Sequence, residues 1–163
     1  MSCLAWNCRE LGNLCTGRKL IEIIRAKDPV VVFLAETLTD YARLEVIQRS
    51  IGFDHRWVVP KVGRGGGLVL YWKASINLTV EDSDRYYIDA VIDKNMENEW
   101  RLMGFYGELD TVRRHEVWNK LRNLIHNWKS LGFALGTLMK LSNKMRNLGV
   151  QEDPIVKCNS LGS

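Results

Sequence analysis

Apolar residues first appear as a loose alternation over residues 2–7, ending in Asn7-Cys8-Arg9. This predicts a short strand that runs into a loop. The next stretch, 10–16, is polar and contains glycine. Leu20, Ile23 and Ile24 then recur at helical spacing, predicting a helix capped by Thr16 and closed by Pro29. The unbroken apolar run 30–34 is the pattern of a strand buried on both faces, and it delivers Glu36 at its carboxyl end. Residues 40–51 predict a second amphipathic helix, with Leu44, Ile47 and Ile51 facing inward and Gly52 as the stop.

The period then changes to two. Strands are predicted over 54–60 and 68–72, joined as a hairpin by the turn Gly63-Arg64-Gly65-Gly66-Gly67. Further strands over 76–81, 86–93 and 100–106 continue an antiparallel series, with 93–98 as the polar turn of the last hairpin. Residues 111–128 read as a helix with Val117, Leu121, Leu124 and Ile125 on one face. The order strand, helix, strand, helix, meander, helix predicts an α/β sandwich, sheet packed on sheet with helices outside. From Leu131 to the end the pattern stops, with neither a dense carboxylate cluster nor a convincing strand.

Length and composition change this picture little. The 163 residues are one domain's worth, and 46% hydrophobic with 26% charged residues is ordinary for a globular protein. The net charge of +4 mildly favours a polyanionic partner. Cys3, Cys8, Cys15 and Cys158 form no C-x-x-C pair and have no nearby histidine, so reduced thiols are expected rather than disulfides or zinc. No apolar run is long enough for a membrane span, and residues 1–6 carry no basic leader. An intracellular protein, nuclear or cytoplasmic and not secreted, is expected.

Several residues are candidates for chemistry, each beside a plainer alternative. Glu36, at the carboxyl edge of a buried strand, is a ligand group or a solvated loop acid. Asn7 ends the first strand in the same way; beside Glu36 it would orient a hydrated metal or a phosphate, and alone it is a turn residue. The glycine run lacks the spacing of a phosphate-binding loop, so Arg64 at its tip either touches a phosphate or faces water. Tyr106 closes the last meander strand as a phosphate donor or as packing. Arg113 and Arg114, followed by His115, are a nucleic-acid contact or a solvated basic face. The six tryptophans fall mostly on predicted strands, which favours packing over base stacking.

Four segments, taken in order, resemble one family: Leu4-Ala5-Trp6-Asn7-Cys8-Arg9-Glu10-Leu11-Gly12-Asn13; Asp28-Pro29-Val30-Val31-Val32-Phe33-Leu34-Ala35-Glu36-Thr37; Gly65-Gly66-Gly67-Leu68; and Gly104-Phe105-Tyr106-Gly107. They are similar to the endonuclease/exonuclease/phosphatase superfamily, in the version found in plant LINE-type (non-LTR) retrotransposon polyproteins. The resemblance covers about residues 1–129. It implies a four-layered α/β sandwich, here incomplete, and a Mg²⁺-dependent (or Mn²⁺-dependent) phosphodiesterase that nicks DNA. It also implies that Asn7 and Glu36 face the metal, that Asn7 and Tyr106 serve catalysis, and that Arg113 or Arg114 lies near the nucleic-acid backbone, beside Arg64 as the candidate contact of the glycine turn.

Two departures stand out. Glu10 replaces the glycine of the family's Asn-Cys-Arg-Gly loop. Residues 130–163 lack the Gly-Asp-Phe-Asn and Ser-Asp-His motifs that complete the site. A change of reading frame near Ser130 would account for the second: regrouping permitted codons of Leu135 to Lys140 from their third bases gives Gly-Asp-Phe-Asn-Glu, the Glu being forced by Met139 and Lys140. The expectation is an N-terminal part of the nuclease domain (1–129) followed by an aberrant tail (130–163). Such a truncated retrotransposon fragment would be catalytically inactive, and its rivals are a non-catalytic nucleic-acid-binding module and an inert pseudogene product.

Overall fold

The computed structural model describes residues 2–106, 111–127, 132–137 and 155–157. In chain order the elements are β1 (Ser2–Asn7), α1 (Leu14–Lys27), β2 (Val31–Ala35), α2 (Tyr41–Ile51), β3 (His55–Val59), β4 (Leu68–Trp72), β5 (Leu78–Ser83), β6 (Tyr87–Ile92), β7 (Trp100–Tyr106), α3 (Thr111–His126), β8 (Gly132–Thr137) and β9 (Ile155–Lys157). One sheet has the order β3-β4-β2-β1-β9 and the other β5-β6-β7-β8. The pairs β1/β2 and β7/β8 are parallel, and every other pair is antiparallel.

Strict alternation along the strands builds the layers. Cys3, Ala5, Val31, Phe33, Ala35, Leu68 and Leu70 face Ile88, Ala90, Ile92 and Leu102 between the sheets. The intervening residues Leu4, Val32, Leu34, Val69 and Tyr71 turn outward onto Leu20 and Ile24 of α1 and Leu44, Ile47 and Ile51 of α2. On the far side Tyr87, Met103 and Phe105 meet Val117 and Leu121 of α3. The result is four layers, helix, sheet, sheet, helix, in which both faces of β2 are buried as its continuous apolar run requires. The sheets come so close at Gly104 that a Cβ there would lie 2.3 Å from the Phe33 ring.

Three expectations are corrected. The cap of α1 is Asn13, whose side chain accepts the Cys15 N–H, so Thr16 lies inside the helix; Asp28 in the left-handed region ends it. The predicted meander is divided, with β3 and β4 joining β2 while β5, β6 and β7 form the second sheet. Beyond Leu131, where no strand was expected, the backbone of β8 lies parallel to β7 and that of β9 antiparallel to β1. α2, by contrast, opens on Asp40 and closes on Gly52 at φ 74°, as its pattern predicts.

Candidate functional site

Parallel pairing of β1 with β2 puts Asn7 opposite Ala35, so Asn7 and Glu36 emerge side by side at one sheet edge. The chain beyond that edge stays zipped. Cys8 N donates to Ala35 O (3.1 Å), Glu10 N to Glu36 O (2.9 Å) and Leu11 N to Thr37 O (2.9 Å). On the other side Thr37 N donates to Gly67 O (3.2 Å) and Leu38 N to Gly66 O (3.3 Å). Three loops thus form one continuous backbone ladder around Glu36. Gly67 is required for it: at φ 91° a side chain is strained, and its Cβ would lie 2.4 Å from Thr37 Oγ1.

The ladder holds several residues in uncomfortable backbone conformations. Arg9 (φ 38°), Glu10 (φ 82°), Glu36 (φ 53°) and Leu38 (φ 49°) all lie in the left-handed region without being glycine. Such strain persists only where surrounding bonds over-determine the backbone, and it clusters at functional sites. At Glu10 it coincides with the position where the resembled family has glycine.

Alternation along β7 puts Tyr106 on the same face as Leu102 and Gly104, looking toward the first sheet. There its phenol donates a hydrogen bond to Glu36 Oε1. Glu36 and Tyr106 line a cleft of about 190 Å³. One wall is Gly65, Gly66 and Gly67, and Arg85 and Tyr86 also line it. Asn7 Oδ1 accepts the Arg9 N–H at 3.2 Å, which fixes the turn after β1. Beneath it the buried Cys8 thiol donates to Ala35 O at 3.1 Å. Burial, helped by the nearby Glu36 charge, pushes that thiol up to about 12, so it is no nucleophile.

The structure therefore brings together Glu36 and Tyr106, with Asn7 at the same edge. Arg64 is exposed at the tip of the glycine loop and Arg113 is exposed in the first turn of α3; neither is among the described residues lining the cleft. The Arg114 side chain lies outside the described residues. Arg85 and Tyr86 escaped the sequence reading, although counting pairs back from the 93–99 turn puts Tyr86 opposite Tyr106, whose N–H it accepts at 2.7 Å. Among the described tryptophans, Trp6, Trp72, Trp100 and Trp118 pack against the apolar clusters as expected, whereas Trp57 is 43% exposed, its indole N–H donating to Ser83 Oγ at 3.0 Å.

A hard divalent cation wants about six or more oxygen ligands. Among the described residues no group of three or more His, Cys, Asp and Glu side chains is placed to hold one. The described donors do not fit a firmly held metal ion. No described helix is long and apolar enough to cross a membrane.

No protein-family model and no curated protein sequence matches this chain. Solved structures do. D. rerio TDP2, complexed with single strand DNA product, matches at TM-score 0.62 and 15% identity over 92% of this chain and 65% of that one. An AP endonuclease from Archaeoglobus fulgidus matches at 0.55 and 14% identity, over 83% of this chain and 56% of that one. The endonuclease domain of TRAS1, a telomere-specific non-LTR retrotransposon, matches at 0.57 and 10% identity, over 86% of this chain and 60% of that one. The protein therefore has the α/β sandwich of the endonuclease/exonuclease/phosphatase fold, incomplete beside those longer chains.

Proposed function

We propose that this chain is a fragment of a retrotransposon-type endonuclease that engages a nucleic-acid strand in the Glu36–Tyr106 cleft without cleaving it. The observation that carries this reading is the Tyr106 phenol seated on Glu36 in a cleft with one glycine wall. Backbone without side chains lets a strand approach closely, and the Asn7 side-chain amide supplies N–H donors suited to phosphate oxygens. Similarity to a DNA-complexed TDP2 and to the TRAS1 endonuclease domain supports DNA as the strand. Arg64 and Arg113, both exposed, and Arg114 extend this contact outward in our reading.

Loss of cleavage follows from the donor set. Cleaving a phosphodiester with Mg²⁺ or Mn²⁺ requires the ion to be fixed by several oxygens. Glu36 and Asn7 are the surviving half of such a position in our reading, and half a position does not hold a hard cation. Residues 130–163 carry a shifted reading frame in this account. The parallel register sets Thr137 beside Tyr106, so restoring the frame would bring the Asp and Asn of Gly-Asp-Phe-Asn to the edge where Glu36 already stands.

Fluorescence anisotropy of labelled single-stranded DNA, titrated with the protein at several salt concentrations, tests the binding. The expected result is saturable binding that weakens linearly in log–log form as salt rises, as counterion release demands. Absence of binding at low salt would refute the function.

A further inference from the structure

We propose that the groove between α1 and α2, on the outer side of the first sheet, docks an acidic amphipathic segment of a partner protein, which seats an apolar side chain in the groove and a carboxylate on Arg43 and Arg18. The groove and the cleft share no described lining residue, so this site stands apart from the nucleic-acid reading.

The inner faces of the two helices are covered by the sheet. Leu20 and Ile24 of α1 and Leu44, Ile47 and Ile51 of α2 belong to one cluster with Leu4, Val32 and Val69. The seam between the helices stays open. Leu14, Ile21, Val46 and Ile47 line a hollow of about 130 Å³ there. Two of these apolar side chains face water, Leu14 at 67% exposure and Val46 at 47%. Exposed apolar surface rimmed by charge marks an interaction surface. The hollow is far below the roughly 300–1,000 Å³ of small-molecule and cofactor sites. Its occupant is therefore one side chain of something larger.

The arginines decide the charge of that occupant. Arg18 and Arg43, one from each helix, are the charged groups among the described lining residues, and no carboxylate is among them. Arg43 reaches across the seam, since a Cβ added at Gly17 of α1 would lie 3.8 Å from its Nη2. Its Nε is buried and has no hydrogen-bond partner among the described residues. A buried N–H without an acceptor is costly, and folded proteins satisfy nearly all of them. Two acids near Arg43 in sequence are engaged elsewhere: Asp40 Oδ1 accepts the Arg43 backbone N–H at 2.9 Å, and Glu45 Oε1 accepts Arg49 Nη2 at 3.0 Å. A partner's carboxylate supplies the acceptor that Nε lacks, because Nε and a terminal nitrogen make the planar fork that fits two carboxylate oxygens. The apolar walls beside that fork favour a peptide over a nucleic acid, whose phosphate backbone has nothing apolar to fill them. An amphipathic helix carries an apolar residue and an acid one turn apart on the same face, the spacing this groove requires.

The test selects binders to the full chain from a display library of random peptides and measures the enriched ones, fluorescein-labelled, by anisotropy. Enriched peptides should carry an apolar residue and an Asp or Glu about three or four positions apart. Arg43→Gln should weaken their binding about tenfold, as loss of a charge-assisted bond does, and Arg18→Gln about threefold, as loss of an exposed ion pair does. Changing the peptide's acid to its amide should cost as much as Arg43→Gln, with little further loss when both are changed. Leu14→Asp should abolish binding, because it sets a like charge on the apolar wall. An acid in the first turn of α1 is favoured by the helix dipole, so this variant should stay folded by circular dichroism. Failure to enrich any peptide, enrichment of peptides without acids, binding indifferent to Arg43→Gln and Leu14→Asp, or fully additive losses from the arginine and the acid would each overturn the proposal. If the arginine variants weaken binding of single-stranded DNA and not of the peptides, the groove belongs to nucleic acid and the proposal falls. Should Arg43→Gln not fold, Leu14→Asp and Arg18→Gln, both at exposed positions, carry the test.

Discussion

Glu10 holds its backbone at φ 82°, donates its N–H to Glu36 O and accepts the Asn13 N–H at 3.2 Å. Glycine keeps both backbone bonds and removes the steric strain of the Cβ, though it gives the unfolded chain more freedom. Glu10→Gly should therefore stabilise the protein by about 1 kcal/mol in urea unfolding; a destabilised variant would show that Glu10 is not strained. Cys8 makes a second prediction at this scale. Its folded pKa, about 12, lies above the ordinary 9.0, so the fold favours the neutral thiol. The associated stability is fully present below the unfolded pKa and is lost as pH rises from 9.0 towards 12. One unit above the unfolded pKa the loss is about 1.4 kcal/mol. Wild-type melting temperature should thus drop more steeply than that of Cys8→Ala between about pH 8 and about pH 10, whereas parallel declines would contradict the buried-thiol account. Tyr87, whose phenol burial also pushes up, is common to both proteins, and Tyr71, raised chiefly by burial, loses only its smaller Cys8 contribution in Cys8→Ala.

At the scale of elements, the closest approach of the two sheets is set by Gly104 of β7 against Phe33 of β2. Gly104→Ala should cost about 1–3 kcal/mol by overpacking, and Phe33→Leu in the same chain should recover part of it. Additive losses in the double mutant, measured by denaturant unfolding, would contradict direct contact. β4 and β7 were legible to the residue because polar or glycine turns bound their apolar runs. The start of α1 was not, since Asn13 and Thr16 both suit a cap and only the three-dimensional turn shows that Asn13 takes the Cys15 N–H. Alternation reveals that a strand has two faces but not which sheet it joins. For that reason the split between β4 and β5 was invisible. Glu36 and Tyr106 could be named from sequence, whereas their meeting through a hydrogen bond, and Arg85 beside them, depend on how one sheet packs on the other.

For the whole molecule, three apolar layers account for the architecture, and residues 2–106 supply most of it. β8 and β9 add a strand to each sheet through backbone pairing, which needs no particular side chains and is therefore open to a sequence in another frame. The coding sequence checks the shifted-frame proposal directly: codons 135–140 should regroup into Gly-Asp-Phe-Asn-Glu, and codons that cannot do so would give the tail another origin. The central claim is that the cleft keeps a strand but has lost cleavage. The most direct test is nicking of supercoiled plasmid in Mg²⁺ or Mn²⁺ by the wild-type chain beside Glu36→Ala. The same background for both is predicted, and nicking that depends on Glu36 would contradict it.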